Sequence, residues 1–209
     1  MGRAQTLVLD ERHPNPRKIR QAAELLGRGG VIAYPTDTVY GIGCDLHDRK
    51  AIDRVYLIKR LDRGHRLSFI CQDLSTVATY AHVSDFAHRW LRRLLPGPYT
   101  VVLPASREVP KVLRERRPEV GIRGPDNATC IELTRALGRP VISTSATDPE
   151  SGEIMIDPEV VLQRLGHQLE LVLDGGLLTN EPSTIVSLVH DEIEVLRVGK
   201  GPTELLTGC

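Results

Sequence analysis

Several short stretches of this sequence carry side chains whose types and spacing could hold an anion. In RPVISTSATDPESG, residues 139–152, the apolar Pro140, Val141 and Ile142 open into Ser143, Thr144, Ser145, Ala146 and Thr147, so four hydroxyls crowd one strand-like end. Each hydroxyl donates and accepts, and a set of them can floor a site for carboxylate or phosphate oxygens. PSTIVSL, residues 182–188, repeats the theme: Ser183 and Thr184 precede an apolar strand and could cradle phosphate oxygens. YPTDTVYGIGCD, residues 34–45, sets Pro35, Thr36, Thr38 and two glycines between apolar segments. From composition alone an ordinary turn is the better account of it. A ligand loop is the sharper reading, supported by the number of separate segments of similar character.

Cations stand near these stretches. YLIKRLDRGHRLSFIC holds Lys59, Arg60, Arg63, His65 and Arg66 just before a strand. Such a run usually makes a solvated face; bordering a pocket, it suits phosphate or carboxylate, arginine by paired N–H bonds and lysine as a point charge. Arg123 in VGIRGP and Arg197 in VLRVG are lone arginines ending apolar segments and flanked by glycine or proline. They can snorkel to the surface; they are also candidate anion clamps.

The exclusions matter as much. There is no Walker A pattern, GIGCDL is not G-x-G-x-x-G, Ser145 lacks a G-x-S-x-G elbow, and no histidine pair has metal-binding helical spacing. With 27 basic and 27 acidic side chains in 209 residues, an anion must be met by a local cluster, not by global attraction. Cys44, Cys71, Cys130 and Cys209 show no C-x-x-C spacing, which reads as reduced thiols in a cytoplasmic protein. No apolar stretch approaches the length of a membrane span, so no membrane partner is expected.

The elements that must position these residues alternate. Helices are expected over 17–28, 51–59, 85–95 and 128–137, with another capped by Asp157 and carrying Pro158 at its first position. Strands are expected in VIAY, GIGCDL, LSFICQDL, YTVVLPAS, VGIRGP, PVISTSA, LELVLDGG, and on both sides of a turn at His190 and Asp191. Without repeat or linker, the alternation predicts one α/β layered domain with a mixed sheet over residues 1–209, ending in a mobile tail at 202–209.

In order and spacing, YPTDTVYGIGCD, the segment at Lys59, LPGPYTVVLP, VGIRGPDN, PVISTSA, PSTIVSL and VLRVG resemble the YrdC/YciO family over about residues 15 to 200. The resemblance implies a YrdC-like twisted mixed sheet, with helices on its faces and a deep concave electropositive cleft. It also implies nucleotidyltransferase chemistry: L-threonine, bicarbonate and ATP, with Mg2+ on the triphosphate, give L-threonylcarbamoyl-AMP and pyrophosphate for tRNA threonylcarbamoyladenosine modification. By matched position, Thr36 and Thr38 would lie at the amino-acid end, and Lys59 would face carboxylate or phosphate. Thr100 and Arg123 would line the floor, Ser143 and Ser145 would hold threonylcarbamate or phosphate oxygens, and Ser183, Thr184 and Arg197 would meet ATP or AMP. Lys59, Arg123 and Ser145 are the catalytic candidates.

Two positions depart from the synthase pattern. K-x-R calls for arginine where Leu61 stands, and S-x-N calls for asparagine where Thr147 stands. Arg60 is a binding candidate for the missing charge, although a one-residue shift in an extended segment turns a side chain to the opposite face. RLDRGHRLSF resembles the YciO branch, which keeps the scaffold without the synthase signature. The alternatives are binding of tRNA or double-stranded RNA without catalysis, against which eight aromatics offer few stacking platforms, or a related nucleotide reaction in the same pocket.

Overall fold

The computed structural model describes residues 3–62, 64–114 and 118–206. Arg63, one of the cations weighed above, and the tail end, 207–209, lie outside them. The strands are β1 (Gln5–Val8), β2 (Ile32–Tyr34), β3 (Gly41–Asp45), β4 (Ser68–Ile70), β5 (Tyr99–Pro104), β6 (Glu119–Arg123), β7 (Val141–Ser145), β8 (Leu171–Asp174), β9 (Thr184–Ser187) and β10 (Glu194–Arg197). The helices are α1 (Pro16–Gly27), α2 (Arg49–Ile58), α3 (Leu74–Tyr80), α4 (Asp85–Leu94), α5 (Lys111–Arg114), α6 (Ala128–Leu137) and α7 (Pro158–Leu165). The strands form one mixed sheet in the order β1-β8-β2-β3-β7-β4-β6-β5-β9-β10.

Alternation along the strands sorts the two faces. Cys44, Ile142, Phe69, Ile122, Val101 and Val186 are neighbours across six strands, and all join the larger core cluster. That cluster also takes the apolar stripes of α2, α3, α4 and α7, such as Ile52 and Val55, Val77, Trp90 and Leu94, and Val161. One residue along, the same strands present Gly43, Ser143, Ser68 and Gly121 to the other face. On this face α1 and α6 pack Ile19, Ala22, Leu26 and Leu133 against Ile32, Tyr34, Ile70, Val141 and Leu171. The small row beside them carries little bulk of its own: the Tyr34 ring covers it at Gly41 and Gly43, and only from Ser68 to Gly121 does it leave a shallow hollow.

The sheet curls toward that hollow. Lys200, beyond β10, donates to the carbonyl of Asp37, beyond β2, at 2.5 Å. β2 and β10 are third and tenth in the order; seven spacings of about 4.8 Å would hold them ~34 Å apart in a flat sheet. Only a strongly twisted and coiled sheet brings these ends together.

Several differences from the sequence reading have local causes. LSFICQDL yields a strand only over Ser68–Ile70, because Asp73 accepts from Thr76 N at 2.7 Å and starts α3. The threonines and valine of α3 are poor helix formers, but its Val77 and Tyr80 are buried. β1 has almost no buried face and is held by parallel pairing to β8. The tail, expected to be mobile, forms a 3-10 turn over Thr203–Leu206 whose Leu206 is buried in the core.

Candidate functional site

The loop after β2 folds back over the hollow face and is fixed by short-range bonds before anything else touches it. Thr36 Oγ1 donates to Val39 O at 2.7 Å, accepts from Thr38 N at 3.1 Å, and lies 3.0 Å from Thr38 Oγ1. Asp37 then becomes a hub. Arg123, at the end of β6, donates from Nη2 to Asp37 Oδ1 at 2.6 Å and to Thr38 Oγ1 at 3.1 Å, and Asp126 N reaches Asp37 Oδ2 at 3.2 Å. The pair is nearly dry, with side-chain exposures of 8% for Arg123 and 9% for Asp37. Arg123 Nε is buried and has no hydrogen-bond partner among the described residues. An unpaired buried donor is costly, and Arg66 Nε is in the same position.

A second group sits where β5 and β9 begin. Thr100 Oγ1 and Ser183 Oγ are 2.8 Å apart, and Arg197 Nη2 donates to Ser183 O at 2.7 Å. Partial burial of the Arg197 guanidinium, and next the positive charge of Arg123, hold its pKa below the usual arginine value. One carboxylate, Asp37, is salt-bridged to Arg123 and none to Arg197 among the described residues. Thr184 points the other way: fully buried, its hydroxyl donates to Gly201 O at 2.6 Å and accepts from Gly199 N at 2.9 Å. It fastens the chain beyond β10, as strand alternation from Ser183 requires.

On the middle strands, Tyr34 OH donates to Ser143 Oγ at 2.5 Å. The Tyr34 ring lies over Gly41 and Gly43, where an added Cβ would fall within 3.0 Å and 2.9 Å of it. Ser145, half-buried, pairs with Gly41 at the end of β7. Just beyond, Lys59 Nζ donates to Thr147 O at 2.8 Å and to Thr147 Oγ1. Burial lowers the Lys59 pKa from 10.5 to about 8, with Asp148 pulling it back up. The two signature positions therefore behave differently: Thr147 holds the lysine, and Leu61 packs against the core. Arg60, a predicted binding residue, is turned out to the surface, 63% exposed and 3.3 Å from Glu150. Arg66 is paired with Glu119.

Thr36 and Thr38 line a cavity of about 540 Å³, together with Asp37, Asp126, Asn127, Leu177, Leu178, Thr179 and Lys200. Arg123 lies behind Asp37, at the back of this wall. Among the described residues no cluster of three or more His, Cys, Asp or Glu could hold a metal. Asp37 is already committed to Arg123 and Asp126 N. No aromatic is among the exposed large apolar side chains that the structure describes. Cys44, Cys71 and Cys130 are free and buried, and no described helix is long and apolar enough to cross a membrane.

Sequence reasoning passed over Asp37, Lys200, Tyr34 and Ser68. Tyr34 and Asp37 stood inside a quoted motif but read as core and turn; Lys200 and Ser68 gave no signal, since their neighbours are set by pairing across the sheet.

A family model described as Telomere recombination, Sua5_yciO_yrdC, matches residues 24–199. The uncharacterized protein YciO of Escherichia coli K12 is 40% identical over 190 residues, 90% of this chain and 92% of that one. The crystal structure of E. coli YciO superimposes with a TM-score of 0.92 at 38% identity, covering 97% of this chain and 99% of that one. A threonylcarbamoyl-AMP synthase of Chromobacterium violaceum is 35% identical over 179 residues, 85% of this chain and 92% of that protein. The crystal structure of P. abyssi Sua5 complexed with L-threonine gives a TM-score of 0.88 at 27% identity, covering 97% of this chain and 61% of that one.

Proposed function

Because the chain belongs to the Sua5/YciO/YrdC family, we propose that its curled sheet binds ATP and L-threonine and forms L-threonylcarbamoyl-AMP from them and bicarbonate. The observation that carries the reading is the Arg123–Arg197 pair. Burial and the positive charge of Arg123 disfavour the charge on Arg197, and Arg123 itself carries a buried Nε without a partner among the described residues, an environment an oxyanion would relieve.

The reaction asks little covalent work of the protein. Threonine's amine, having given up a proton, bonds to the carbon of bicarbonate as a C–O bond breaks and water leaves; the new carbamate oxygen then attacks the α-phosphorus, the bond to the bridging oxygen breaks, and pyrophosphate departs. Alignment and neutralisation of developing charge carry such a step. Arg123 and Arg197 supply the charge, and Ser143 and Ser145 supply hydroxyls on β7. The cavity at Thr36 and Thr38 has a mixed lining suited to a hydroxylated zwitterion: Lys200 set against the carboxylates Glu11, Asp37 and Asp126, Asn127 and Thr179 as neutral polar groups, and Leu177 and Leu178 for a methyl. Lys59 is held by Thr147 at the edge of this arrangement, where the ammonium can turn to a carboxylate or phosphate.

The test is pyrophosphate release from ATP, measured with threonine and bicarbonate together and with each left out. Release should need both and should fall at least about tenfold in Arg123→Ala and Lys59→Ala. Release that is unchanged in both variants, or that ignores threonine, contradicts the reading.

A further inference from the structure

Ser68 opens an unassigned part of the hollow face. It is the cross-strand partner of Ser143 on β7 and of Gly121 on β6. Directly paired residues on one face hold their Cβ atoms about 5 Å apart, so the two serine side chains stand side by side. Gly121 beyond them leaves the row low: a Cβ there would meet nothing nearer than Ser68 Oγ and Thr100 Cγ2, both at 3.5 Å. The Ser68 side chain is half-buried and enters no hydrogen bond among the described residues.

Ser143 has a defined polarity. Tyr34 is fully buried, and Ser143 Oγ at 2.5 Å is its hydroxyl's one partner among the described residues. The phenol must donate there or leave its proton unpaired, at a cost no buried hydroxyl bears lightly. Burial also drives the Tyr34 pKa far above its ordinary value, so the proton stays on. An Oγ that accepts from Tyr34 turns its own hydrogen elsewhere, and the donor chain makes that hydrogen a stronger donor. Gly41 and Gly43 are part of the device, because only their missing Cβ atoms let the ring lie where its hydroxyl reaches Ser143.

We propose that Ser68 and Ser143 form a two-hydroxyl clip for one oxyanion, a phosphate or carboxylate oxygen, and that Tyr34 is the positioning residue that fixes Ser143 as a donor. This deepens the nucleotide reading and rests on it for the identity of the ligand. It adds Ser68 and Tyr34 to the residues weighed for the ligand. It also has a chemical corollary: with one lone pair taken by Tyr34 and its own hydrogen free, Ser143 favours an oxyanion oxygen over an ammonium at that position.

The experiment is calorimetric titration of ATP, AMP and inorganic phosphate into the wild type, Ser68→Ala, Ser143→Ala, Tyr34→Phe and Tyr34→Phe/Ser143→Ala, with thermal unfolding of each recorded beside it. Ser68→Ala and Ser143→Ala should each weaken the anion that binds best by about tenfold, the loss expected for a hydrogen bond to a charged acceptor. Tyr34→Phe should weaken it several-fold, and the double variant should be no weaker than Ser143→Ala alone. A purely structural tyrosine would instead lower the unfolding temperature and multiply with Ser143→Ala in affinity. That product, or wild-type affinity in Ser68→Ala, overturns the clip while leaving nucleotide binding standing. Wild-type binding of phosphate without ATP or AMP removes the nucleotide reading and keeps the clip under test with phosphate; no binding of any of the three removes both.

Discussion

Lys59→Met should change stability in a pH-dependent way whose sign is fixed by burial. Lys59 is 5% exposed and bonded to Thr147 O and Oγ1. Desolvation lowers its pKa from 10.5 to about 8, and the Asp148 charge opposes part of that. Below about pH 8 the ammonium is charged in both folded and unfolded chains, and the cost of burying it is fully present. Between about pH 8 and 10.5 the unfolded chain binds more protons than the folded one, so wild-type stability rises with pH through that window. A drop from 10.5 to about 8 at about 1.4 kcal/mol per tenfold sets a ceiling of about 3 kcal/mol. Residual access to water brings the expected change nearer to about 2 kcal/mol. Methionine removes the charge and leaves the Thr147 carbonyl bare, a loss of about 1–3 kcal/mol that does not vary with pH. The slope is therefore the readout, not the absolute difference. Urea unfolding of both proteins across the window should show the stability of Lys59→Met relative to wild type falling by about 2 kcal/mol. Contributions from the buried tyrosines and cysteines cancel in that comparison. A flat difference would refute the buried ammonium.

Other substitutions probe the frame. Asp37→Asn leaves Arg123 without its carboxylate and should cost about 3 kcal/mol in urea unfolding, while Asp37→Asn/Arg123→Met should cost less than the two single changes together. Gly201→Ala would set a Cβ 2.5 Å from the Tyr99 ring and should lose about 1–3 kcal/mol; Gly176→Ala, with open space but a φ of 81°, should lose about 1 kcal/mol. Lys200→Met removes the 2.5 Å bond to Asp37 O and should speed hydrogen exchange in the loop at 36–38 without changing exchange in β4 or β7.

The chemistry was legible in the sequence where it is local. The hydroxyl run lies on β7, Arg123 ends β6, Arg197 ends β10, and Asp157 caps α7, each contained in a few residues. What sequence could not give is register. The Ser68–Ser143 neighbourhood joins residues from distant parts of the chain, and Asp37 meets a guanidinium 86 positions away and an ammonium 163 positions away. Thr184 illustrates the same limit on a small scale. Its type matched the motif, but period-two alternation turned Ser183 toward Thr100 and left Thr184 to fasten the backbone beyond β10. Arg60 failed for a related reason: Lys59 ends α2 with its side chain directed inward to Thr147, and the next residue, at φ 49°, turns out to solvent.

The most direct test of the central claim is mass spectrometry of the product formed from ATP, L-threonine and carbon-13 bicarbonate. The account predicts L-threonylcarbamoyl-AMP carrying the label, made in proportion to the pyrophosphate released and lost in Arg123→Ala. Unlabelled or absent adenylate, from a protein that still binds ATP, would contradict it.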